Sequence, residues 1–270
     1  MTYAAEQRVA EEAARAAAAF IAAHAGRLAP SDLRAKAEHD YVSYVDEGAQ
    51  AILLEHLARA FPSDAVLAEE GAAGEVASAG RQWIVDPLDG TTNFAHGVPP
   101  YAVSVGLRVD GRAAVGVVLD VSSGTLFSAA DGALAVDGVP ARVSETAALD
   151  DALVATGVPF RDYRWAEGYL ATFERVMRRT RGIRRHGAAS VDLAWTAAGR
   201  FDAFFEAGLA PWDVAAGVAL IEAAGGRVTA LVAGADPVAS GGVIATNGAL
   251  HGAMEALCEP LAEAYRRVGA

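Results

Sequence analysis

Two aspartates three residues apart, Asp86 and Asp89, bracket Pro87-Leu88 and run into Gly90-Thr91-Thr92. Proline fixes φ and holds the turn, so the two carboxylates can converge instead of splaying. Carboxylates crowded at short range repel one another, and a hard divalent cation held through oxygen is the natural compensation. Gly90 lets a ligand come close to the backbone. Thr91-Thr92 can open a helix, whose free N–H groups and positive dipole end suit a phosphate. A metal site and an anion site thus fall within a few residues of each other. Taken alone, the string also reads as turn punctuation. Two further acidic positions weigh against that: Glu69, after the apolar run Val66-Leu67-Ala68, and Asp213, after Pro211-Trp212 and ahead of an apolar helix. Asp213 has a simpler reading as an N-cap, and Glu69 as a solvated loop charge.

The whole chain must make such a site acceptable to an anion. Acidic residues number 34 against 22 basic ones, a formal net charge of −12. That field disfavours nucleic acid and anionic lipid as partners, and it obliges a phosphate site to carry its own cation. Cys258 is the only cysteine, which excludes an internal disulfide and a Cys-based zinc cluster and fits a small apolar residue of the last helix. Glu6, Arg8, Glu11, Glu12 and Arg15 interrupt the Ala-rich N-terminus, so it does not read as a signal peptide, and no membrane span is visible. The expected location is cytoplasmic.

With 270 residues and a 53% hydrophobic fraction, the chain can form one large α/β unit. Helical spacing predicts an amphipathic helix over residues 4–24 and a second over 47–60, stopped by Phe61-Pro62-Ser63-Asp64. Residues 66–68 and 82–85 read as strands ending on Glu69 and Asp86, with a loop over 71–80 between them. Apolar runs at 101–109, 113–120 and 125–130, punctuated by Asp110-Gly111, Ser123-Gly124 and Asp137-Gly138, predict an antiparallel meander. Past about residue 150 strands and helices alternate: strand 153–156, helices 166–179 and 190–198, strand 201–206, helix 214–224, strand 243–246 and a C-terminal helix. Two tightly joined halves are expected, residues 1–145 with Glu69, Asp86 and Asp89, and residues 146–270 with Asp213 and the substrate-side positions.

Residues 83–97, from Trp83-Ile84-Val85-Asp86-Pro87-Leu88-Asp89-Gly90-Thr91-Thr92-Asn93-Phe94 to His96-Gly97, resemble the first signature of the inositol monophosphatase family of magnesium-dependent, lithium-sensitive phosphatases. Trp212-Asp213-Val214-Ala215-Ala216-Gly217 through Glu222-Ala223-Ala224-Gly225-Gly226 resembles the second. The resemblance implies a layered α-β-α-β-α sandwich, commonly a homodimer, that binds two or three Mg²⁺. By position, the metal ligands would be Glu69, Asp86, the Leu88 carbonyl, Asp89 and Asp213, with Asp86 bridging two metals. Gly90 and Thr91 would meet the phosphate through backbone N–H groups. Thr91 with Glu69 would orient the attacking water and help deprotonate it. Asp46, in Val42-Ser43-Tyr44-Val45-Asp46, would support that water network.

The implied function is hydrolysis of a sugar or polyol phosphate, inositol-1-phosphate first, because Thr91-Thr92-Asn93-Phe94 is the inositol-type sequence. Fructose-1,6-bisphosphatase and histidinol-phosphate phosphatase activities, or a non-catalytic regulatory role on transcription machinery, stand as alternatives. On the substrate side, Asp89, Ala189 and Glu206 match substrate-contacting positions, with Glu206 accepting a hydrogen bond from a substrate hydroxyl. Lys36 matches a position near the active site, and Arg184, Arg185 and His186 read equally as groups that meet a substrate or a partner subunit and as a solvated basic run. His96 reads as a loop histidine. The chain departs from the family in three places: Ala68 precedes Glu69-Glu70 where glycine is usual, Ser43 replaces threonine, and Ala188 stands where a hydroxyl is common.

Overall fold

The computed structural model describes residues 2–37, 40–71, 74–160 and 162–269. Helix α1 (Ala4–His24) packs on α2 (Tyr44–Ala60), and both cover one face of a seven-stranded sheet. That sheet runs in sequence order: β3 (Ala65–Ala68), β4 (Arg81–Asp89), β5 (Ala102–Val109), β6 (Arg112–Asp120), β7 (Thr125–Ala130), β8 (Ala133–Val136) and β9 (Val139–Ala141). Only the β3–β4 pairing is parallel. Alternation along the strands divides the side chains between two cores. Trp83, Val85, Val103, Val105 and Leu107 pack toward α1 and α2, whereas Ile84 and Ala102 face the other way.

The opposite face carries α5 (Ala189–Ala197) and α6 (Pro211–Ala223), which also pack beneath a second sheet of five strands. Its order is β11 (Gly182–Arg184), β10 (Leu153–Thr156), β12 (Ala203–Ala207), β14 (Gly242–Thr246), β13 (Arg227–Ala230). Helices α4 (Ala166–Arg179) and α7 (His251–Arg267) close the outer face around Val154, Phe205, Ile244 and Cys258. The architecture is therefore the expected α-β-α-β-α sandwich, built from amphipathic outer helices and an α5–α6 layer that is buried nearly all round.

Two glycines set the spacing of the middle layer. Gly106 and Gly116 are cross-strand partners, and a β-carbon on Gly116 would lie 2.4 Å from the Ala216 carbonyl oxygen. One on Gly106 would lie 2.9 Å from the Ala216 nitrogen. Side chains absent at this pair let the backbone of α6 lie directly on the sheet.

Several expectations are corrected. The polar stretch before α2 contains a short hairpin, β1 (Arg34–Ala37) with β2 (Asp40–Val42). The meander is extended by β8 and β9, and β11 and β13 were not anticipated. Helix α2 begins three residues early because Ser43 caps it: the Ser43 hydroxyl accepts from Val45 N–H, and Asp46 reaches back to the Ser43 N–H. Strand β4 does not stop at Asp86; it continues to Asp89 through a register irregularity between those two residues, which absorbs Pro87.

Candidate active site

The site lies where the C-terminal end of β4 meets the N-termini of α3 (Thr91–His96) and α6. The irregularity in β4 turns Asp86 and Asp89 to the same side. Asp86 Oδ1 accepts from Leu88 N–H at 2.9 Å, closing the turn around Pro87. Asp213 approaches from the other half of the chain. It is the third residue of α6, not its N-cap as the simpler reading had it; Ala210 occupies the cap, and its N–H donates to Asp213 Oδ2 at 2.7 Å. One carboxylate oxygen from each of Asp86, Asp89 and Asp213 falls within 4.8 Å of the others.

That crowding has an electrostatic signature. Burial, then the charges of Glu69, Asp89 and Asp213, push Asp86 well above the usual carboxylate range. Burial and Asp213 raise Asp89 to about 7, against the pull of two Ser190 hydrogen bonds. Ser190 donates to Asp89 Oδ2 from its N–H at 2.8 Å and its hydroxyl at 2.5 Å. Glu69 lines the same cleft and hydrogen-bonds to Asp86. Leu88 buries its side chain under α1 and α2, while its carbonyl accepts from the Thr91 hydroxyl at 3.0 Å. This oxygen-only donor set, short of positive charge, fits a hard divalent cation and suits no soft metal.

Beside it sits the turn into α3. Gly90 holds φ +86°, and a β-carbon there would press on the Pro100 carbonyl at 3.1 Å and on Ala188 at 3.3 Å, so glycine is required by both backbone and packing. The Thr91 hydroxyl also reaches Asp46 Oδ1 at 2.9 Å. Asp46 is fully buried, its Oδ2 accepting from Ser43 N–H at 2.8 Å and the Ser43 hydroxyl at 2.6 Å. Burial lifts its pKa even so. Asn93 donates to the carbonyls of Pro100 and His186, both at 2.8 Å, tying α3 to the loop ahead of α5.

The cleft above has a volume of about 390 Å³ and extends to Ala189, Glu206, Arg185 and an aromatic wall of Phe160, Tyr163 and Trp165. All of Glu69, Asp86, Leu88, Asp89, Gly90, Thr91, Ala189, Glu206 and Asp213 line it; Asp46 stands one hydrogen bond behind. His96 is exposed at the end of α3. Of the basic run, Arg184 points to its own strand's Ile183 carbonyl. His186 is packed between Trp195 and Phe201 and bonds Asp192 at 2.7 Å. Arg185 alone of the three lines the cleft, and it is the one Arg or Lys to do so among the described residues. The Lys36 side chain lies outside the described residues.

The profile of the inositol monophosphatase family matches residues 4–265. This chain belongs to the inositol monophosphatase family. It is 41% identical over 244 residues to the inositol-1-monophosphatase of Caulobacter vibrioides, covering 89% of this chain and 95% of that one. It is 42% identical over 244 residues to Nus factor SuhB of Pseudomonas aeruginosa, covering 88% and 90%. The crystal structure of extragenic suppressor protein suhB from Bartonella henselae superposes with a TM-score of 0.87 at 36% identity, covering 95% of this chain and 99% of the other. Membership of the inositol monophosphatase family supports a phosphatase with a small phosphorylated substrate, and the acidic cluster agrees with the metal dependence of that family.

Sequence reasoning missed three members of the site. Ser190 supplies, two positions after Ala188, a hydroxyl aimed at Asp89. Gln50, one turn after Asp46 on α2, clamps Glu70: its Nε2 donates to the Glu70 carbonyl at 2.6 Å and its Oε1 accepts from Glu70 N–H at 2.8 Å. The i, i+4 spacing of Asp46 and Gln50 was the available signal. Gly157, beside Glu206, gave none.

Proposed function

We propose that this protein is a Mg²⁺-dependent phosphomonoesterase acting on a sugar or polyol phosphate, inositol-1-phosphate before others. The observation that carries the reading is the convergence of Asp86, Asp89 and Asp213 beside the Gly90-Thr91 backbone. Glu69, Asp86, the Leu88 carbonyl, Asp89 and Asp213 would hold two or three Mg²⁺, with the halves 1–145 and 146–270 contributing ligands to one cleft. Such ions lower the pKa of water and neutralise charge on a departing alkoxide. The protein's own groups do the rest. Backbone N–H groups of Gly90 and Thr91 seat the phosphate oxygens. The Thr91 hydroxyl, with Glu69, orients the attacking water and passes a proton toward Asp46 Oδ1. Glu206 and Ala189 border the leaving alcohol, where Glu206 accepts a hydrogen bond from a hydroxyl.

Phosphate release from inositol-1-phosphate, fructose-1,6-bisphosphate, histidinol phosphate and phenyl phosphate, each with Mg²⁺, with chelator and with Li⁺, tests this. Turnover that needs Mg²⁺, falls with Li⁺ and favours inositol-1-phosphate supports it; no turnover of any ester by folded protein refutes it. The similarity to Nus factor SuhB favours a second reading, a regulatory binding role on transcription machinery, which that null result would leave standing.

A further inference from the structure

Glu206 owes its place in the cleft to a neighbour that has no side chain. Residues 156 and 205 are register partners of β10 and β12, so Gly157 and Glu206 follow them side by side at the strand ends. A β-carbon built on Gly157 would lie 1.8 Å from Glu206 Oε1, 2.0 Å from its Cδ and 2.3 Å from its Oε2. The carboxylate of Glu206 thus occupies the space that any other residue at 157 would fill. Neither backbone can step aside cheaply. The buried Thr156 hydroxyl reaches the Phe205 carbonyl at 2.8 Å and the Gly157 carbonyl at 3.0 Å, bracing the two strand ends together. The Gly157 φ is not in the left-handed region, so an alanine there is acceptable to the backbone. What must yield is the Glu206 side chain, whose far end is flexible.

We infer that Gly157 is a specificity-determining position that acts by admitting the Glu206 carboxylate to the alcohol side of the cleft. The inference rests on the reading that Glu206 meets a substrate hydroxyl. Gly157 is a positioning residue: a side chain there swings the carboxylate off the hydroxyl it would accept from, while the acidic cluster at β4 and α6 is untouched. The effect therefore separates substrates by their alcohol, not by their phosphate. Recognition of a hydroxyl by a buried carboxyl acceptor is the kind of contact that discriminates strongly between esters that have the hydroxyl and esters that lack it.

The test compares kcat/KM for inositol-1-phosphate with kcat/KM for phenyl phosphate in wild type, Gly157→Ala, Glu206→Gln and the double variant, at saturating Mg²⁺. The ratio of the two is expected to fall roughly 10- to 100-fold in each single variant, as for loss or weakening of one hydrogen bond to a buried carboxyl acceptor, and no further in the double. A fall in Glu206→Gln alone, or falls that multiply in the double variant, overturns the role of Gly157. An unchanged ratio in both single variants overturns instead the reading of Glu206. Failure of Gly157→Ala to fold also overturns the inference, because the clash would then lie either with backbone or with a carboxylate unable to swing aside. The Gly157→Ala/Glu206→Ala variant, in which that carboxylate is gone, checks this by folding.

Discussion

Substituting Gly116 with alanine acts on the acidic cluster through α6, the helix that carries Asp213. The new β-carbon would stand 2.4 Å from the Ala216 carbonyl oxygen and 2.8 Å from the Ala219 β-carbon. Ordinary contact begins at 3.4 Å, so α6 must retreat by about 1 Å, since a backbone carbonyl cannot rotate away as a side chain does. Overpacking of this kind costs about 1–3 kcal/mol, which for a chain of this size lowers Tm by roughly 2–12 °C. The same movement carries Asp213 away from Asp86 and Asp89. Metal sites tolerate ligand displacements of only about 0.2 Å, so the rise in Tm on adding Mg²⁺ should shrink together with the intrinsic Tm. Differential scanning fluorimetry across a Mg²⁺ series measures both. A variant with wild-type Tm and a wild-type Mg²⁺ response would refute the argument that the glycine pair seats α6 and thereby Asp213.

Two further outcomes follow from the same geometry. Asp89, raised from 3.8 to about 7, and Asp86, raised well above the usual carboxylate range, bind protons more tightly in the folded state than in the unfolded one. Their contribution to stability is thus fully present below about pH 4 and is lost as pH rises through about 7. Metal-free protein should lose Tm between pH 5 and pH 7.5, and Mg²⁺ should restore it mainly at the higher pH; a metal-free Tm that climbs over this interval contradicts the crowding. Gln50→Ala removes both amide hydrogen bonds to Glu70, at about 1 kcal/mol each, and frees the strand end that presents Glu69. Calorimetric titration with Mg²⁺ should show weaker binding than in wild type, and equal binding would mean that Glu69 is placed without Gln50.

The long amphipathic helices α1 and α4 and the strands of the meander were legible because their apolar spacing is local. The strands that escaped notice are short or polar: β1 and β2 lie in a charged stretch, and β11 and β13 have three and four residues. Their identity comes from the partner strand, which no local pattern encodes. The same division runs through the cleft. Asp86, Asp89 and Gly90 sit in one string whose chemistry can be read directly, and Asp213 announces itself before an apolar helix. Ser190 bonds a residue 101 positions away, Gln50 one 20 positions away, and Gly157 matters only for what Glu206 does next to it. Such contacts exist only once the helices and strands are brought together by the tertiary fold.

The proposed divalent-cation site needs Asp213, from the second half of the chain, beside Asp86 and Asp89. Equilibrium binding of Mn²⁺, read from loss of the free-ion EPR signal and competed with Mg²⁺, tests it in wild type and Asp213→Asn. Stoichiometric binding in wild type, displaced by Mg²⁺ and weakened at least tenfold in the variant, is the predicted result. Equal affinity in the two proteins, or no binding in wild type, would contradict it.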